Sequence, residues 1–101
     1  MDSSLFFALL HSIGLTHKKL RLLRRENVQY YYENISVSDL IEAGYGVDTA
    51  SRIIDKKTEK LVEDVYNVIV KNNIRVVHRD DSEYPSLLAT IPNAPTILYV
   101  R

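Results

Sequence analysis

All three glycines of this 101-residue chain fall in two places, Gly14 and the pair Gly44 and Gly46, and the two places align at a spacing of 30 residues. Gly14-Leu15-Thr16-His17-Lys18-Lys19-Leu20 lies over Gly44-Tyr45-Gly46-Val47-Asp48-Thr49-Ala50. The register continues outward: Leu10 matches Leu40, Leu20 matches Ala50 and Leu23 matches Ile53, apolar in both copies. Glycine reaches positive φ without a Cβ penalty and commonly stops helices. Each copy therefore reads as a helix, a tight turn, and a second helix whose small or apolar residue packs beneath the turn. That is a helix-hairpin-helix layout. Thr16 stands where the second copy has Gly46, and is suited to cap the next helix.

Capping residues extend this to a map of the chain. Ser3 or Ser4 caps a helix to about His11, and Thr16 caps one to about Glu26. Asn27 to Asn34 is a turn or short helix, Ser36 caps another helix to Ala43, and Asp48 opens a further stretch. Between Asp48 and Lys71 the apolar positions Ile53, Ile54, Leu61, Val65, Val68 and Ile69 keep helical spacing, with Lys56-Lys57-Thr58 a candidate break. Asn72 and Asn73 tolerate left-handed geometry and suit the C-terminal cap. Ile74 to Val77 reads as a short strand, Arg79 to Glu83 as a polar loop, Pro85 to Thr90 as one helical turn, and Thr96 to Tyr99 as a second strand. A connection of this length can cross over, so a parallel pair is allowed. The expected fold is mainly α, α+β overall: a tandem helix-hairpin-helix, SAM-like domain at 1–72, then two strands opening a sheet domain at 73–101. Ile97 to Val100 reads as a buried strand needing neighbours on both edges, so the sheet is expected to be truncated and the chain to self-associate.

Composition removes several function classes. Apolar residues at 46% and charged residues at 26% are ordinary for a folded soluble chain. Without cysteine there is no disulfide, no thiolate nucleophile and no cysteine-ligated zinc, which fits a reducing cytoplasm. Leu5 to Leu10 gives only six apolar residues, preceded by Asp2, too short to span a membrane and without the basic flank of a secretory signal. His11, His17 and His78 lack the close spacing of a metal pair, and Asp80, Asp81 and Glu83 do not complete a calcium loop, so neither metal nor cofactor is expected. No phosphate-binding loop, nucleophile elbow or dinucleotide fingerprint is present, and nothing points to catalysis.

Net charge is zero, so any attraction for nucleic acid must come from a local patch. The candidate is Lys18, Lys19, Arg21, Arg24 and Arg25, five permanent charges within eight residues. On a helix, Lys18, Arg21 and Arg25 share one face while Leu20 and Leu23 turn inward. Next to the Gly14 turn this can cradle a phosphate backbone; it can equally be a solvated face that only solubilises. Tyr30-Tyr31-Tyr32 follows, able to stack bases in part, although three consecutive residues cannot all face one way. Tyr84 before Pro85 reads as a structural anchor.

Tyr84-Pro85, Leu87-Leu88, Ile91-Pro92, Pro95 and the apolar strand containing Leu98-Tyr99 together resemble the start of the central domain of the DNA processing protein A family (DprA, also called Smf). Gly44-Tyr45-Gly46 with Ala50 is similar to that family's hairpin. The resemblance covers the whole chain and is strongest over 74–101. It implies a helical SAM-like domain followed by an extended Rossmann-like domain that binds single-stranded DNA and helps load a RecA-type recombinase during natural transformation. No DNA-binding residue of the Rossmann-like half has a counterpart here. The implied role is assistance in positioning DNA, with weak, non-specific binding of single strands. The alternative is a SAM-like protein-interaction module whose basic helix meets an acidic partner.

Overall fold

The structure, a computed structural model, describes residues 3–58 and 60–100. Six helices precede the first strand among these residues: α1 (Ser3–Ser12), α2 (His17–Leu20), α3 (Val28–Asn34), α4 (Val37–Glu42), α5 (Val47–Thr58) and α6 (Lys60–Lys71). Strand β1 (Arg75–His78), the one-turn helix α7 (Ser86–Ala89) and strand β2 (Ile97–Val100) complete it. Lys56, Lys57 and Thr58, expected as a candidate break, are helical and belong to α5; the position between α5 and α6 lies outside the described residues.

Five consecutive residues of α1, Phe6 to Leu10, are buried, so this helix is apolar nearly all round and forms the axis of the core. Helices α2, α3 and α6 and both strands pack against it. The central buried cluster joins Phe7, Leu10, Leu20, Val28, Leu40, Ala50 and Ile53 to Ile97 of β2, so helices and sheet share one core. Truncating a fully buried side chain such as Leu10 to alanine costs about 2–5 kcal/mol in settings like this.

The 30-residue register is written in the backbone. Leu15 N–H donates to the Leu10 carbonyl at 3.1 Å and Gly14 N–H to the His11 carbonyl at 3.1 Å; thirty residues on, Tyr45 donates to Leu40 at 3.0 Å and Gly44 to Ile41 at 3.0 Å. Each pair is the double hydrogen bond of a left-handed helix stop, with φ of 121° at Gly14 and 103° at Gly44. Asn73, at φ 52°, ends α6 the same way, Ile74 N–H reaching the Ile69 carbonyl at 3.0 Å. Leu20 and Ala50 are both fully buried beneath their turns. Ser36 caps α4 through a reciprocal capping box with Asp39.

Two expectations are corrected. The helix predicted from Thr16 to about Glu26 ends at Leu20; beyond it Leu22 and Leu23 bond only three residues back, to the carbonyls of Lys19 and Leu20. Contacts from the far end of the chain, described below, hold this segment in its tighter path, a case of tertiary structure overriding local propensity. The strands, for which a parallel pairing was allowed, are antiparallel, with Arg75 opposite Val100 and His78 opposite Ile97. The connection 79–96 holds one helical turn rather than a crossover helix, so the chain folds back alongside β1. Val77, Tyr84 and Ala94 are buried together with this connection, and the Tyr84 hydroxyl donates to the Pro95 carbonyl at 2.6 Å, the anchor expected before Pro85.

Candidate nucleic-acid interface

The two glycine turns face each other. Thr16, the residue preceding α2, caps that helix by accepting the Lys19 N–H at 3.3 Å, and its own N–H points at the Tyr45 hydroxyl of the second turn at 3.4 Å. Lys19 leans across the gap. Its Nζ lies 6.0 Å from the Tyr45 ring centroid and beside Gly44, the nearest atom to where a Cβ would project there. Tyr45 joins the two turns in a way that sequence reasoning did not single out; its only signal was a position between two turn glycines.

The five cations of the basic segment divide by environment. Lys18 and Arg24 are exposed, and no hydrogen bond or ion pair is recorded for either side chain among the described residues. Arg21, predicted to face solvent, is exposed but also donates through both terminal nitrogens to the carbonyls of Pro92 and Ala94, at 3.1 and 2.8 Å. Arg25 pairs with Asp81 at 2.6 Å and reaches the Ser3 hydroxyl at 3.3 Å. Both arginines therefore fasten the C-terminal segment onto the helices. Burial pushes the Asp81 carboxyl up, but the His78 N–H at 2.8 Å and the Arg25 guanidinium outweigh it and hold the group below the usual carboxylate range.

Gly46 is exposed and its φ is not positive, so within the second turn only Gly44 requires glycine geometry. Asp48 occupies the first turn of α5, whereas α2 carries no acid in its first turn. An anion is thus better accommodated at the first turn than at the second.

The three tyrosines separate as the alternation argument requires. Tyr30 is 72% exposed, while Tyr31 and Tyr32 pack on the core, Tyr32 against Phe6 at 5.7 Å between centroids. Lys57 lies over the Tyr32 ring at 5.2 Å and donates to the Glu33 carbonyl; burial lowers its pKa against the opposing pull of Glu33. Beside Tyr30 runs a groove of about 690 Å³ whose lining includes Leu22, Leu23, Tyr31, Ile35, Asp39 and Glu42. Leu22 is 73% exposed at its lip. With Asp39 and Glu42 and no basic side chain in its lining, the groove is apolar and acidic; burial, then the Asp39 carboxylate, raises the Tyr31 pKa.

Comparison with protein-family models, curated proteins and solved structures finds no match to this chain. No helix among the described residues is long and apolar enough to cross a membrane, and no cluster of three metal-ligating side chains occurs among them.

Proposed function

We propose that this chain is the helical N-terminal part of a DprA-like DNA-processing protein, a tandem helix-hairpin-helix unit that assists in positioning single-stranded DNA beside a Rossmann-like domain. One observation carries the reading: two identically built glycine turns, 30 residues apart, face each other through Thr16 and Tyr45 with Lys19 between them. The turn N–H groups of Gly14, Leu15, Thr16, Gly44 and Tyr45 are bonded within the chain, so the cations gathered beside the turns are what would hold a sugar-phosphate backbone without reading its bases. Lys18, Lys19 and Arg24 supply the charge, because Arg21 and Arg25 are engaged elsewhere. The action is binding rather than catalysis, and loading of a RecA-type recombinase in natural transformation belongs to the whole protein.

The test is fluorescence anisotropy with a labelled single strand in low salt. Weak binding without sequence preference is expected, with a log–log salt slope near about −2, since each of about three contacts contributes roughly −0.7. Lys18→Glu with Arg24→Glu should abolish it and leave the fold intact, both side chains being exposed. Equal binding by this double variant, or none by the native chain, overturns the reading.

A second reading, a protein-interaction module, is favoured by the groove at Leu22 and Tyr30. Its acidic lip suits a basic, apolar partner segment, the reverse of the acidic partner expected for the basic helix.

A further inference from the structure

All three histidines of the chain lie where the helices meet the sheet. Phe7 and His11, one turn apart on α1, share a face. The Phe7 ring lies 4.6 Å from that of His78 in β1, and His11 lies 4.4 Å from His17 and 6.4 Å from Tyr99 in β2. At two of the three, a ring nitrogen accepts a backbone hydrogen bond that only neutral imidazole can take. Thr96 N–H donates to His17 Nδ1 at 3.2 Å, while the Thr96 hydroxyl donates to the His17 carbonyl at 2.6 Å. Asp80 N–H donates to His78 Nδ1 at 3.1 Å, closing the loop that leaves β1. His78 is 5% exposed, and its Nε2, which carries the proton in this tautomer, has no partner among the described residues.

We propose that this interface is an acid-sensitive latch: protonating His17 and His78 turns both acceptors into donors facing backbone N–H groups, and so releases the 75–100 segment from the helices while α4 and α5 stay folded. Nothing in the latch depends on DNA binding. Its geometry is one-sided: His17 ties Thr96 to α2 directly, His78 shapes the loop after β1 through Asp80 and meets α1 through the Phe7 ring, and among the described residues no hydrogen bond or ring contact joins either histidine to α4, α5 or their glycine turn.

The charges around each ring are few. His17 is faced by His11 from α1 and by Arg21 from the turn after α2; burial first, then both neighbours, lower its pKa. His78 is faced by Phe7 from α1, by Arg25 from the segment after α2, and by Asp80 and Asp81 from its own loop. Burial lowers it most and Arg25 adds to this, against the two carboxylates. Both pKa values thus stand below the free value near 6.5. The stabilisation is complete above that value and is lost as pH falls through the depressed folded-state values.

Amide hydrogen exchange on the native chain between about pH 8 and 5 tests this, with intrinsic rates divided out. The opening constants at Arg79 and Thr96 should rise below about pH 6.5 by up to roughly 100-fold per unit, two protons being taken up. Those at Ala43, Tyr45 and Ala50 should not follow. In His17→Asn with His78→Asn, the side-chain oxygen replaces each Nδ1 as acceptor and cannot titrate, so the pH dependence should vanish, and each single variant should retain about tenfold per unit. Unchanged exchange at Arg79 and Thr96, an equal rise at Ala50, or the native slope in the double variant overturns the latch. So does an NMR titration of the native imidazoles that places His17 and His78 at or above 6.5, a readout that does not require any variant to fold.

Discussion

The two glycine-turn units are built alike up to the turn and diverge after it. Both stop the leading helix with the same pair of hydrogen bonds, and both bury a small or apolar residue beneath. After the first turn the helix runs four residues; after the second it runs at least twelve among the described residues, to Thr58. The cause is not local, since Lys18, Lys19, Leu20 and Leu22 are good helix formers. Thr96 and Arg21 tie the first unit to the returning strand, while α5 is free to follow its own propensity and pack on α4 and α6. A repeated local motif thus gives repeated turns, and tertiary contacts decide how far each helix continues.

Substituting alanine at each turn glycine should break the likeness most. At Gly14 a Cβ would meet Ile53 Cγ1 at 3.2 Å, with φ of 121°; at Gly44 the nearest atom is the end of the Lys19 side chain at 4.0 Å, with φ of 103°. Backbone strain applies to both, crowding only to the first. Gly14→Ala should therefore cost about 2–3 kcal/mol and Gly44→Ala about 1–2, measured by urea unfolding. Equal losses would mean that Ile53 shifts aside freely.

The next largest effect should be at Arg21. Removing its guanidinium takes the donor from the part-buried Ala94 carbonyl and from the exposed Pro92 carbonyl, so Arg21→Ala should cost about 1–2 kcal/mol, while exposed Lys18→Ala should stay within about 0.5. If α2 is short because of these contacts, the arginine variant should also gain helix signal in circular dichroism as the chain past Leu20 relaxes. No loss of stability in Arg21→Ala would detach helix length from the C-terminal segment.

What could be read from the sequence follows the same division. Gly14, Gly44, Asn73, Thr16 and Ser36 act on groups within five residues of themselves, and each cap or turn stands where its chemistry placed it. The end of α2, the loss of Arg21 from the free cations and the meeting of His11 with Tyr99 depend on residues 92–99 returning antiparallel, and the loss of Arg25 depends on Asp81 in the loop after β1. The hydrophobic pattern indicated two strands but not their relative direction. Of the predicted cationic site, Lys18 and Arg24 stay exposed without a hydrogen bond or ion pair among the described residues, and Lys19 leans only on the Tyr45 ring of the second turn.

The smallest expected effect is the sharpest on the comparison, because it moves the first unit's solution into the second. Gly46 precedes α5 as Thr16 precedes α2, and Ala50 N–H bonds to its carbonyl at 2.8 Å as Leu20 does to Thr16 at 2.9 Å. Unlike Gly44, Gly46 does not use positive φ, and a Cβ there would meet nothing within 4 Å. Gly46→Ser should therefore stabilise by about 0.5–1 kcal/mol, by narrowing the unfolded ensemble and giving the α5 amides a hydroxyl acceptor. The reverse exchange, Thr16→Gly, removes the oxygen that holds the Lys19 N–H and should cost a few tenths to about 1 kcal/mol. A rise in urea midpoint at unchanged slope for the first, with a fall for the second, would show that the two units obey the same capping rule. If Gly46→Ser instead destabilises, the second turn needs its second glycine for a reason other than backbone conformation or space, and the equivalence of Thr16 and Gly46 fails.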